Sequence, residues 1–261
     1  MSGALASAAY NLASLRAALK PFRLHFFPRV GSTNDHAAKL RRRGELFAPA
    51  VVLAGRQIKG RGRGSNTWWS PPGNLAATYV LPIEQHLQPH QLPLVAGLIV
   101  RNVVARLSSI DDIQLKWPND LLYADRKLAG LLCERIEKAD LIGVGLNANF
   151  TERDAPKFLR QRIVSLQMIL GRPIDRGEII VEIARELRRV LSHPDELPFA
   201  QLLKEYDRHH ALVGRRVRVI GGNLETEIKG TCAGLDSMGR LLVRNGQTSA
   251  RIIAGHVLLD S

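Results

Sequence analysis

Apolar residues recur along this chain with two different periods, and the change of period outlines its architecture. Over residues 4–20, Leu5, Leu12, Leu15 and Leu19 fall broadly on one face, which predicts a helix whose end Pro21 limits. Val51–Ala54 and Leu75–Leu81 are short apolar runs of the buried-strand type, and a glycine-rich loop from Gly55 to Gly64 follows the first of them. Leu92, Val95, Ile99, Val103 and Leu107 return at helical spacing, an amphipathic helix with its stripe turned inward. Ile113–Trp117, Leu128–Ile136 and Leu141–Leu146 read as consecutive strands, the first two joined after Pro118 through the turn Ala124-Asp125-Arg126. Ile179, Ile180, Ile183, Leu187 and Leu191 mark a second long helix, and Leu202, Leu203 and Tyr206 a third. Beyond residue 212 the pattern becomes that of short strands. Val217 and Val219 sit between Arg216, Arg218 and Ile220, and Gly221-Gly222-Asn223, Asp236 to Gly239 and Asn245-Gly246 are turn signals at close intervals. The expected fold class is α+β: a mixed sheet packed with helices, then a small all-β module from about Val213.

Composition narrows the function. At 261 residues, 45% hydrophobic and 23% charged, the chain is an ordinary globular protein rather than a coiled coil, a collagen or a disordered chain. No apolar run approaches the ~20 residues of a membrane-spanning helix. The net charge of +13 is uneven: residues 1–43 carry eight basic residues against Asp35 alone, whereas residues 89–212 carry 18 basic and 17 acidic. A basic front suits a polyanion or an acidic partner, and equally a solvated helix face. The only cysteines, Cys133 and Cys232, are too far apart in sequence for a zinc site or a disulfide framework. With no secretory signal of the usual form, the expected location is cytoplasmic. The acid-free first 34 residues have some transit-peptide character, but arginine is sparse before Arg23. A helix-turn-helix would need two or three more helices near the front, and their absence predicts no specific DNA binding.

Three segments carry chemistry. Residues 57–69 read Gln-Ile-Lys-Gly-Arg-Gly-Arg-Gly-Ser-Asn-Thr-Trp-Trp. Gly60, Gly62 and Gly64 keep backbone N–H groups accessible, while Lys59, Arg61 and Arg63 add positive charge. The spacing is neither a P-loop nor a dinucleotide-binding turn. A solvated loop, an RNA-contacting segment with Trp68 and Trp69 as stacking surfaces, and a loop that orders over a nucleotide all remain open on these residues alone. In the second segment, Lys116-Trp117-Pro118-Asn119-Asp120, the proline ends a strand and forces a turn. A tight turn and a returning strand then bring Lys127 back toward Asp120, as a surface ion pair or as part of a phosphate site. The third segment, Gly143-Val144-Gly145-Leu146-Asn147, is a strand end bearing one amide.

Together these pieces resemble the biotin–protein ligases. The matching residues are Ser32-Thr33-Asn34, Gln57 with Gly60-Arg61-Gly62-Arg63, Trp68, Lys116-Trp117-Pro118-Asn119-Asp120, Arg126-Lys127-Leu128-Ala129-Gly130, and Gly143, Gly145 and Asn147. The resemblance is strong over residues 28–150 and weaker beyond. It implies a class II synthetase-like catalytic domain over 28–212, an SH3-like barrel over 213–261 and a basic helical extension over 1–27. It further implies ATP-dependent, AMP-forming attachment of biotin to a lysine of a biotin carboxyl carrier domain, through biotinyl-5′-AMP and usually with Mg²⁺. The substrates supply the nucleophiles, so no catalytic Ser or Cys is required.

Residue roles follow from the same resemblance. Ser32, Thr33, Asn34, Gln57, Gly60, Arg61, Gly62, Arg63, Lys127 and Gly130 would bind biotin, with Ser32, Thr33 and Asn34 on its ureido head. Arg61, Arg63, Trp68, Asn119, Lys127 and Asn147 would bind ATP, Trp68 packing on the adenine and Asn147 helping to hold it. Arg63, Lys127 and Asp120 would carry the chemistry, Asp120 as a base toward the acceptor lysine or as the group orienting Lys127. No resident metal site is expected. Gly64-Ser65-Asn66-Thr67 departs from the more basic family loop and predicts a mobile tip. A lipoate- or octanoate-type ligase and a nucleic-acid-binding module are the competing readings.

Overall fold

The computed structural model describes residues 10–84, 86–193, 195–222 and 226–260. Residues 4–9 of the expected first helix, and Asn223 of an expected turn, lie outside them. The described part of that helix is α1 (Leu12–Ala18), capped by the Asn11 side chain, which accepts from the Ser14 N–H at 3.1 Å.

After α1 come β1 (Arg23–Phe27), α2 (Thr33–Arg42), β2 (Ala50–Ala54), β3 (Gly60–Arg61), β4 (Thr67–Trp68) and β5 (Leu75–Pro82). Then follow α3 (Leu92–Ser108), β6 (Gln114–Lys116), β7 (Asp120–Tyr123), β8 (Arg126–Ile136) and β9 (Ala139–Leu146). A 3-10 turn (Glu152–Asp154), α4 (Leu166–Leu170), α5 (Arg176–Ser192) and α6 (Phe199–Arg208) complete the larger part. Its sheet has seven strands in the order β1-β2-β5-β9-β8-β7-β6, antiparallel except for the β1–β2 pair. β1 was not legible as a strand, because Arg-Leu-His-Phe-Phe shows no clean alternation. Ala124 and Asp125, at φ 47° and 58°, make the two-residue hairpin between β7 and β8 where the turn was expected.

Helices cover both faces. Along β2, Val51 and Leu53 join the main core while Ala50 and Val52 join a smaller one with Ala37 and Ala38 of α2. This two-sided burial explains why β2 reads as a continuous apolar run. On the main-core side, α5 ties to the sheet through Tyr79, whose hydroxyl donates to the Ile180 carbonyl at 3.2 Å.

Residues from β10 (Arg216–Ile220), β11 (Ile228–Leu235), β12 (Leu241–Asn245), β13 (Thr248–Ile252) and β14 (His256–Leu259) form an antiparallel sheet in the order β13-β12-β11-β10-β14, the small SH3-like unit. Its inward residues Val217, Val219, Cys232, Leu241 and Val243 continue the main core. The indole N–H of buried Trp117 donates across the junction to the Gly239 carbonyl at 3.2 Å. No helix among the described residues is long and apolar enough to cross a membrane.

Candidate active site

The floor of the site is a matter of missing side chains. β8 and β9 pair with Gly130 opposite Gly145, and Gly143 sits opposite Leu132 and Thr78. A Cβ on Gly145 would lie 2.5 Å from Trp68 Cε2, and one on Gly130 would lie 3.1 Å from both Trp68 Cζ3 and Lys127 Nζ. A Cβ on Gly143 would run into the Asn34 amide. Bare backbone therefore makes a shelf on which an indole, an ammonium and an amide are laid. Above it opens a cavity of about 380 Å³, within the range of small-ligand sites. A cavity of about 630 Å³ lies elsewhere, between α1 and the start of α5, but none of the motif residues lines it.

One end of the site is polar and uncharged. Ser32 caps α2 through its hydroxyl, which accepts from the Asp35 N–H at 3.4 Å. Gln57 Oε1 accepts from the Thr33 N–H at 2.7 Å and from its hydroxyl at 3.1 Å, and its Nε2 lies 3.1 Å from where a Cβ on Gly60 would stand. Asn34 is committed to the protein: its Nδ2 donates to the Leu132 carbonyl at 3.0 Å and to Glu134 at 2.8 Å, while its Oδ1 accepts from Thr78 at 2.6 Å.

The other end is charged. Lys127 Nζ lies 2.7 Å from Asp120 Oδ1, and the alignment is too poor for a hydrogen bond to that oxygen. The same ammonium sits 5.5 Å from the centre of a Trp68 ring. The strand, turn and returning strand read from the sequence thus deliver the Asp120–Lys127 juxtaposition. Lys116, opposite Asp120 on β6, is held below the ordinary lysine range by burial, with Asp120 opposing the shift and Lys127 adding to it.

The glycine–arginine loop closes as a hairpin. Gly60 pairs with Trp68 and Arg61 with Thr67, the Gly62 N–H donates to the Asn66 carbonyl at 2.8 Å, and the Asn66 side chain donates to the Arg63 carbonyl at 3.0 Å. Gly64 takes φ +60° at the tip. The segment expected as a loose tip is therefore a bonded turn. Its two arginines differ. Arg61 is paired with Asp35 at 2.7 Å and Glu134 at 2.9 Å. Arg63 has no carboxylate within ion-pair range among the described residues; its Nη1 donates to Asn119 Oδ1 at 3.4 Å and to the Gly255 carbonyl at 3.3 Å. Burial lowers its pKa, with Asp120 opposing, yet a guanidinium remains charged at neutral pH.

Ser32, Thr33, Asn34, Gln57, Arg61, Gly62, Arg63, Trp68, Asn119, Asp120, Lys127 and Gly130 all line this one cavity. Gly60 and Asn147 do not. Gly60 lies under the hairpin, where a Cβ would meet the Trp68 carbonyl at 2.6 Å. Asn147 is 2% exposed, its Nδ2 donates to the Lys127 carbonyl at 3.0 Å and its Oδ1 accepts from Asn74 at 3.1 Å. These bonds position the backbone behind Lys127. Sequence reasoning missed Arg162 and Ile163, which line the cavity beside Lys127, and His256, which reaches its rim from β14. Burial lowers the His256 pKa, and Lys116 lowers it further. Nothing local in the sequence marks these three residues, since only the fold brings them to the motifs.

A model of the biotin/lipoate A/B protein ligase family matches residues 26–150. The bifunctional ligase/repressor BirA of Escherichia coli (strain K12) is 32% identical over 241 residues, covering 90% of this chain and 73% of BirA. The biotin–[acetyl-CoA-carboxylase] ligase of Mycobacterium tuberculosis is 31% identical over 240 residues, 88% of this chain and 86% of that one. Among solved structures, biotin protein ligase from Aquifex aeolicus in complex with biotin and ATP matches with a TM-score of 0.80 at 28% identity, over 91% of this chain and 98% of that chain. With its motif residues gathered around one cavity, and with these relatives, the chain belongs to the biotin–protein ligases of the biotin/lipoate A/B family.

Proposed function

We propose that the protein joins biotin to a lysine of a biotin carboxyl carrier domain, using ATP and passing through biotinyl-5′-AMP. The observation that carries this reading is the convergence of Lys127, Arg63 and the uncharged Thr33–Gln57 pair on one cavity. A ligand with a polar uncharged head and an anionic tail fits that gradient.

In the first step a biotin carboxylate oxygen attacks the α-phosphorus; an O–P bond forms, the α–β bridge breaks, and pyrophosphate leaves. Two anions must be brought together, so the work of the protein is alignment and charge neutralisation. Arg63, which has no carboxylate partner among the described residues, and Lys127 supply the positive charge. Trp68 offers an aromatic face for the adenine. In the second step the acceptor amine attacks the acyl carbon and AMP leaves. That amine, with an ordinary pKa of ~10.4, must first lose a proton. Asp120 is suited to this role: once Lys127 turns to the phosphate, the Asp120 carboxylate loses its cationic partner.

Mg²⁺ is proposed as part of the substrate MgATP. Among the described residues no group of three or more His, Cys, Asp or Glu side chains forms a cage for a metal.

Mixing the protein with biotin and MgATP should release pyrophosphate and leave biotinyl-AMP bound. Product with lipoate or octanoate, and none with biotin, would overturn the biotin assignment. Arg63→Gly should let the adenylate escape and label bystander lysines; retention equal to that of the unaltered protein would remove Arg63 from the anion site.

A further inference from the structure

The two arginines of the hairpin are treated differently by the fold, and the difference traces to one residue outside every motif. Glu134, on β8, accepts from Arg61 Nη2 with both carboxylate oxygens, at 2.9 and 3.0 Å, and from Asn34 Nδ2 at 2.8 Å. Arg61 and Glu134 are 73 residues apart in sequence, and Asn34 and Glu134 are 100 apart. Asp35, the residue after Asn34, closes on the same guanidinium at 2.7 Å. Glu134 therefore joins three segments: the β3–β4 hairpin, the start of α2 and the main sheet.

We infer that Glu134 is a positioning residue which, with Asp35, clasps Arg61, holds the hairpin down over the uncharged end of the cavity, and sets the Asn34 amide. This deepens the function proposed above and rests on it for the identity of the ligand. Arg61, with its two carboxylate partners, is the tongue of the clasp. Held this way, the strand pairing of Gly60 with Trp68 keeps the indole on its glycine shelf before any ligand arrives. The clasp is partly open to water, with side-chain exposures of 38% for Arg61 and 26% for Glu134. Its strength is therefore modest, and it acts as a bias on hairpin closure rather than a permanent lock.

The test has two arms. In the ligand-free protein, Glu134→Gln should speed hydrogen exchange at the Gly62 amide, which bonds within the hairpin, by about twofold to fivefold. Exchange at Val144, in the central sheet, should stay unchanged. In the turnover arm, the same variant should raise KM for biotin by a similar factor with kcat little altered. Arg61→Gln combined with Glu134→Gln should exchange no faster than Arg61→Gln alone, because without the guanidinium the Glu134 carboxylate has nothing on the hairpin to hold. Two results would each overturn the inference: unchanged Gly62 exchange in Glu134→Gln, or additive effects in the double variant. If the protein proved to use another acyl acid, the exchange arm would still decide the clasp by itself.

Discussion

At the scale of single residues, the site depends on atoms that are absent as much as on those present. Gly145→Ala puts a methyl group 2.5 Å from the Trp68 indole, and the indole has to move. Overpacking of this kind costs about 1–3 kcal/mol. Here the cost should appear as a raised KM for ATP together with altered tryptophan fluorescence; an unaltered KM would show that Trp68 is not an adenine platform. Lys127→Ala should cut pyrophosphate release by about 100-fold or more, the size expected when a charge-stabilising donor is lost. Measuring pyrophosphate separates that loss from any failure in the second step. The Asp120–Lys127 pair was legible in the sequence because a short hairpin leaves little choice about where its ends meet. The division of labour between Arg61 and Arg63 was not. Alternate arginines in one loop look alike until the fold shows which of them faces Asp35 and Glu134. The bond from Asn147 to the Lys127 carbonyl was not legible for a related reason: an amide after a Gly-x-Gly strand end suits a ligand or a buried backbone carbonyl equally well.

At the scale of elements, periodicity carried most of the fold. The helices α3, α5 and α6 and the strands β2, β5, β8 and β9 stand where the apolar spacing put them, because each buries a continuous stripe or run. β1 and the two-residue strands β3 and β4 were invisible, being too short or too mixed to show a period. Asn66 closes the hairpin through side chain and backbone, a contact the sequence did not announce. Gly64, at φ +60° with no neighbour within 4 Å of a Cβ, makes that closure sensitive to backbone preference alone. Gly64→Val should weaken hairpin closure by about 1–2 kcal/mol without any steric clash. The consequence to measure is faster loss of biotinyl-AMP into solution, while the thermal midpoint of the protein changes little.

At the scale of the whole molecule, the larger and smaller units share one apolar core, and their junction holds a proton-sensitive group. The His210 side chain is fully buried, lies 5.4 Å from the Tyr206 ring, and has no hydrogen-bond partner on either nitrogen among the described residues. Burial lowers its pKa from 6.5 to about 4. The folded state thus refuses a proton that the unfolded chain accepts below 6.5. Stability is complete above that pH and declines as the pH falls toward 4, by roughly 2 kcal/mol at pH 5. Asp207, 3.6 Å away and raised by its own burial, pulls the other way toward the acid end of this window. Urea unfolding of His210→Phe should show a shallower loss between pH 7 and 5 than the unaltered protein. The same junction is sewn by peptide oxygens: Gly239 receives the Trp117 indole N–H, and Gly255 receives Arg63. Each turn needs its glycine, because a Cβ would come within 2.6 Å of Leu94 Cδ1 or 2.7 Å of Val219 Cγ1. Little else about those turns is dictated. A barrel transplanted from a remote cousin, nearly unrelated letter by letter, should serve as a replacement tail so long as its two bends present their oxygens in the same places and its inward side chains fill the shared core.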